Sequence, residues 1–288
     1  MLALSATSSA VPLRIVSTFS ILADWVQVVG GEHVEQVVLV GADSDAHVFE
    51  PRPVDVRAVA SADLVVINGL NFEGWLERLV QASGSAAHIV VASQRVEPVK
   101  PLVGAEVLPG VADPHAWHNV GNAEIYVQNI VEALCAKAAD NCEYFRARAT
   151  QYQRELKRLD TDIRTGLAAL PFAEPVVVTN HDAFGHFAAT YGVRFITVKS
   201  LSTEAHASAR DLARIISLVR KHGANGIFIE NVSDQRLLQQ IARETSMVLG
   251  GALFSDALSQ ASGPAGSYIL MMRHNLQTLL NGMQPRVR

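Results

Sequence analysis

The chain has only two cysteines in 288 residues, and neither they nor its ten histidines fall into a CxxC, HExxH or HxH pattern. A cysteine-based zinc module and a zincin-type protease helix are thereby excluded. No stretch approaches the ~20 apolar residues that cross a bilayer, so the folded part reads as soluble. Charged residues make up only 18% and sum to a net charge of −4, leaving no basic footprint for nucleic acid or an acidic membrane; neither is expected as a partner. Met1 to Ala10 (MLALSATSSA) lacks a basic start and a long apolar run. It reads as the tail of a trimmed export signal, with Ser8 and Ala10 suiting a small-residue cleavage region, or as a remnant outside the fold; no cysteine near it offers a lipid anchor.

What is present is a long amphipathic pattern. Phe145, Ala149, Tyr152, Leu156, Leu159, Ile163, Leu167 and Leu170 recur at spacings of 3 and 4 within Asn141 to Leu170, between a capping Asp140-Asn141 pair and Pro171. A helix of that length runs about 45 Å, longer than a small domain is wide, so it is a candidate spine between two lobes; an ordinary long core helix is the alternative. The similar pattern on its two sides favours the spine. Before it, short β-branched runs at 13–18, 34–40, 63–68 and 88–92 alternate with helical stretches around 21–29, 54–60, 72–81 and 123–138. After it, strands are expected at 175–179, 194–198, 226–230 and 248–254, with helices around 183–191, 209–222, 234–245 and 267–281.

Runs such as VVLV and LVVI are apolar on both faces, as in parallel strands covered by helices on each side. The expected fold is α/β: two four-stranded parallel-sheet lobes with surrounding helices, residues 11–140 and 171–288, joined by one long spine helix, 141–170. Ligands of such sheets bind beyond the carboxyl ends of the strands, which here points to the cleft between lobes.

On one continuous helix, Cys135 and Cys142 would lie about 10 Å apart along the axis, too far for a disulfide. Asp140-Asn141 interrupts the helical pattern, so a bridge is possible; two inert buried thiols are the other reading. The even count and the suspected export signal favour the bridge.

Several histidines sit where chemistry is expected. His181 directly follows the strand PVVVTN, His47 lies in the turn after VVLV, His115 and His118 share DPHAWHN, and Asp256 follows VLGGALF. Imidazole is the commonest metal ligand, and a buried carboxylate facing neutral histidines needs a cation to justify its charge. A single histidine at a strand end is more often solvated or packed than metal-bound. The case rests on several such residues facing one cleft.

Taken in order around the central helix, DAHVFEP, DPHAWHN, NHDAFGHF and FSDALS resemble the motifs of the metal-specific substrate-binding proteins of bacterial ABC importers, especially the zinc-binding branch. The resemblance covers the chain from Leu13 onward. It implies two α/β lobes on a rigid helix, with His47, His115, His181 and Asp256 as metal ligands in the inter-lobe cleft. Three imidazoles and a carboxylate would make a closed four-coordinate site suited to Zn²⁺. A manganese branch tends to carry a carboxylate where His181 stands. The resemblance further implies a periplasmic protein, working as a monomer, that delivers its ion to an ABC permease of the inner membrane, with a periplasmic zinc metallochaperone as a candidate second partner.

Departures from the pattern are specific. Zinc-binding relatives often carry a long His- and acid-rich loop before the DPH motif, whereas residues 103–112 (VGAEVLPGVA) are short and free of histidine. His118 stands at a usually apolar position and is an alternative ligand; His186 replaces a more usual aromatic and is assigned to packing. His206 is a further candidate near the cleft, and Glu204 and Glu230 are candidates for hydrogen bonds to ligand imidazoles. Two other functions stand beside zinc capture: a manganese carrier of the same fold, and a zinc hydrolase in which Asp256 or Glu204 would serve as base. A surface adhesin of this fold is disfavoured by the missing anchor cysteine. No enzymatic activity is expected.

Overall fold

The computed structural model describes residues 11–100, 102–103, 106–107, 112–198 and 209–283. Its first sheet is made of β1 (Leu13–Phe19), β2 (Val34–Val40), β3 (Leu64–Ile67) and β4 (His88–Val91), all parallel, in the order β2-β1-β3-β4. A two-stranded antiparallel hairpin, β5 (Leu102–Val103) with β6 (Glu106–Val107), stands in the segment read from sequence as a loop. The second sheet contains β7 (Val176–Thr179), β8 (Arg194–Thr197), β9 (Gly226–Glu230) and β10 (Leu249–Leu253), again parallel, in the order β10-β9-β7-β8. Counted within each sheet, both orders read second, first, third, fourth. The two sheets share one winding without recognisable sequence repetition.

The helices are α1 (Ser20–Gly30), α2 (Pro53–Ser61), α3 (Leu76–Ser83), α4 (Val120–Lys137), α5 (Cys142–Ala168), α6 (Gly185–Tyr191), α7 (Ala209–His222), α8 (Arg236–Thr245) and α9 (Tyr268–Gly282). Helix α3 starts at Leu76 rather than near Phe72. Leu70 and Asn71 have positive φ (54° and 62°), and the Glu73 carboxylate turns back onto the backbone N–H groups of Asn68 and Gly69.

Helix α5 is the expected spine. Its buried residues are Phe145, Ala149, Tyr152, Leu156, Leu159, Ile163 and Leu167, one face of the 3.6-residue period. The expected side-chain cap is absent: Asn141 sits at the N-cap with φ −98° and ψ 3° and makes no capping bond, because a 3-10 turn, Ala139–Asn141, runs straight into the helix. That turn carries a Cys135–Cys142 disulfide with Cα atoms 4.6 Å apart. Arg148 Nε donates to Val28 O (2.7 Å) and Tyr191 OH to Asp160 Oδ1 (2.9 Å), so the spine is bonded to elements preceding and following it.

Among the described residues two hydrophobic cores result. The larger takes side chains from both sides of the spine, from Trp25 and Tyr126 to Phe228, Tyr268 and Met272; the smaller lies where α7 and α8 cover the second sheet. Among the described residues no helix is long and apolar enough to cross a membrane.

Candidate metal centre

Both sheets send strand ends toward one point. His47 lies in the turn after β2, which is pinned by Asp45 Oδ1 accepting His47 N–H (2.9 Å) and by Trp75 Nε1 donating to Ala46 O (2.8 Å). His115 precedes a short 3-10 turn at Ala116–His118. Asp113 Oδ1 accepts both its backbone N–H (2.9 Å) and a ring contact at Nδ1 (2.7 Å), an Asx-type turn that fixes backbone and imidazole together. Asn68 Nδ2 donates to Pro114 O (3.0 Å), and Tyr126 OH to Asn68 Oδ1 (2.7 Å), tying this loop to the end of β3.

From the second sheet, His181 follows β7 and Asp256 follows β10. Glu230, the last residue of β9, places Oε2 2.5 Å from His181 Nδ1 and accepts His181 N–H at Oε1 (3.0 Å). The rings of His115 and His181 are thus both held on Nδ1 by carboxylates, leaving Nε2 to point inward.

The inward atoms meet. His47 Nε2 is 3.2 Å from His115 Nε2 and 3.5 Å from Asp256 Oδ2; His181 Nε2 is 3.1 Å from Oδ2 and His115 Nε2 3.7 Å from Oδ1. One donor atom from each of the four residues lies within 4.8 Å of every other. A tetrahedral ion with bonds of about 2.0–2.1 Å would space its ligands by about 3.3 Å, which these separations match. The side chains of His115, His181 and Asp256 are fully buried, and that of His47 is 8% exposed.

The electrostatics favour a cation. Neither Asp256 oxygen accepts a protein hydrogen bond of good geometry, although both are buried. Burial alone would raise the Asp256 carboxyl, but His181 and His115 hold it well below the usual range. Burial likewise opposes charge on His181, yet Glu230 and Asp256 outweigh it and lift the imidazole well above its ordinary value. Asp113, too, is held low despite burial, by the His115 contact. A divalent ion at the centre would take over the role those protons play.

The remaining candidates fall elsewhere. His118 is buried with its ring 4.5 Å from that of Phe184, is not part of the four-residue cluster, and has neither nitrogen hydrogen-bonded; burial pushes it down to about 3. His186 packs in the interior as expected, between Asn122 Nδ2 and Asp113 O (both 3.2 Å). Glu230 stands where a partner of a ligand imidazole was expected. His206 and Glu204 lie outside the described residues. Asp113 is not among the residues expected at the site, although an Asp-Pro-His run is an Asx-turn signal that puts a carboxylate beside the histidine.

A family profile described as zinc-uptake complex component A, periplasmic, matches residues 15–282. The manganese ABC transporter substrate-binding lipoprotein PsaA of Streptococcus pneumoniae is 28% identical over 97% of this chain and 91% of its own length. The iron-binding protein YfeA of Yersinia pestis is 29% identical over 96% and 88%. Among solved structures, the periplasmic zinc-binding protein TroA of Treponema pallidum superimposes with a TM-score of 0.88 at 27% identity, covering 95% of this chain and all of that one.

Proposed function

Because this chain belongs to the family of periplasmic metal-binding proteins that serve ABC importers, we propose that its cargo is Zn²⁺, held by His47, His115, His181 and Asp256 and delivered to an inner-membrane permease. The chain is a binding protein for a divalent metal ion, not an enzyme, and the ion is what it carries.

The observation that supports zinc is the imidazole of His181, backed by Glu230 and converging with two other imidazoles on one carboxylate. Three nitrogens and one oxygen suit a four-coordinate Zn²⁺, whereas Mn²⁺ favours oxygen-rich, six-coordinate surroundings. The burial of three of the four donors leaves little room for added water, so the ion is retained without a co-ligand. Release then requires the permease to open or strain the site.

A manganese reading has its own support. Both Asp256 oxygens face the cluster, so the carboxylate can chelate and raise the coordination number, and PsaA is named for manganese. Competition between Zn²⁺ and Mn²⁺ for demetallated protein, read against a chromophoric chelator, separates the two: the zinc proposal requires a zinc preference of several orders of magnitude. A crystal of the loaded protein with no exchangeable water on the ion would complete the assignment. The working division remains lobes 11–140 and 171–288 on the helix 141–170, acting as a monomer, with a periplasmic zinc metallochaperone as the candidate donor.

A further inference from the structure

The four donors differ in what holds them. His115 and His181 have carboxylates behind their rings, but the carboxylate of Asp256 meets only the inward-facing ring nitrogens of His47, His115 and His181, so with an ion between them its position depends on the backbone that carries it. That backbone follows the second sheet in sequence, yet the short bonds to its middle, at Ser255 and Leu258, come from residues before the spine. Ser20 Oγ accepts Leu258 N–H (2.9 Å), Asp43 N–H donates to Leu258 O (2.8 Å), and Trp117 Nε1 donates to Ser255 O (2.9 Å). Its own lobe holds the two ends of the loop, Asn275 bonding Phe254 N–H (2.8 Å) and Phe254 O (2.7 Å) and Ala265 O accepting Ser259 N–H (3.0 Å), but between them it offers only Asn231, which meets Ser255 N–H and Ala257 O at 3.4 Å each.

Both polar groups on the backbone of Leu258 are therefore taken by residues more than two hundred positions away. Ser20 directly follows the first strand of the first sheet, as His181 follows that of the second by two residues. The end of one first strand leads to a metal donor, and the end of the other supplies an acceptor that helps to fix the loop of Asp256.

From this geometry we infer that Ser20 is a positioning residue for the metal site, holding the Asp256 loop so that its carboxylate completes the donor set across the lobes. The inference rests on the reading of Asp256 as a ligand. It also makes the fourth donor sensitive to lobe separation, because withdrawing the first lobe removes the acceptor and the two donors that place residues 255 to 258.

The test is Ser20→Ala, which removes one buried acceptor oxygen and leaves α1 otherwise unchanged, measured by Zn²⁺ competition titration in the wild-type and Asp256→Ala backgrounds. Loss of one buried hydrogen bond corresponds to an affinity loss of about ten-fold, expected only where Asp256 is present. Co²⁺ in place of Zn²⁺ adds a signature that a general packing defect would not give: the visible band of Ser20→Ala should change in the same sense as that of Asp256→Ala. Wild-type affinity in Ser20→Ala, or the same loss in the Asp256→Ala background, overturns the role of Ser20. A site indifferent to Asp256→Ala overturns the ligand assignment itself, and this inference with it.

Discussion

Glu230 holds His181 twice: Oε2 lies 2.5 Å from the ring Nδ1, and Oε1 accepts the backbone N–H of His181 at 3.0 Å, along with that of Asn180 at 2.8 Å. One buried carboxylate sets the ring orientation, the tautomer and the course of the chain leaving β7. Glu230→Gln keeps the shape but removes the charge that makes Nε2 a better donor to an ion. Partners of this kind are worth about 10–100-fold in metal affinity, and a loss of that size is expected for Zn²⁺ in competition titration. Unchanged affinity would reduce Glu230 to a packing role.

His118 should behave in the opposite way. Its ring is buried beside Phe184 and Trp117, and burial followed by the nearby His115 holds it down to about 3. In the unfolded chain the imidazole protonates near 6.5. Between those values the unfolded state binds a proton that the native state refuses, so stability falls as pH drops through 6.5, by about 2 kcal/mol at pH 5. His118→Phe keeps an aromatic ring in the same packing. It should leave zinc affinity unchanged and remove that part of the acid sensitivity in urea unfolding at pH 5 and 7.5; a large loss of zinc affinity would make His118 a ligand.

The fold was legible because its signals are periodic. Seven of the eight main strands carry β-branched residues in short apolar runs, the exception being β10 (LGGAL), and the face of α5 follows from Phe145 to Leu167 at spacings of 3 and 4. His181 and Asp256 could be named as candidates because each directly follows an apolar strand. Less visible was what depends on distant partners. Glu230, ending β9, could be named as a candidate partner of a ligand imidazole, but which imidazole it meets is not local information, and nothing in α1 shows that Ser20 meets Leu258; these contacts exist only once the sheets are packed. The start of α3 was displaced for a similar reason: Glu73 is used to cap the end of β3 and to accept from Thr18 Oγ1 (2.7 Å), not to begin a helix.

The disulfide should matter for stability and not for the ion. Cys135 and Cys142 close a short loop at the turn between α4 and α5, whereas the proposed donors stand at strand ends and in the loops of the cleft. In the chain-entropy view a loop of this size contributes roughly 2.5 kcal/mol, through the unfolded state. Reduction, or Cys135→Ala with Cys142→Ala, should lower urea stability by about that amount and leave zinc affinity unchanged. Two reactive thiols in the unfolded, unreduced protein would show that the bridge does not form.

Gly185 connects the lobes at a point where no side chain fits. It opens α6, and a Cβ added there would lie 2.3 Å from Asp113 Oδ2. The other oxygen of Asp113 holds both the backbone and the ring of His115, so a methyl group on the second lobe would push on the carboxylate that aims a proposed donor of the first. Gly185→Ala should therefore weaken Zn²⁺ binding by about ten-fold, the low end of what losing such a partner costs. Gly74→Ala is the control, because a Cβ there meets nothing within 4 Å and no loss is expected. The mechanism is checked in a double variant: once Asp113→Ala has removed the obstructed carboxylate, adding Gly185→Ala should cost nothing further. Additive losses would instead mean that Gly185 acts on the site by another route, such as a shift of α6 and, with it, of His181.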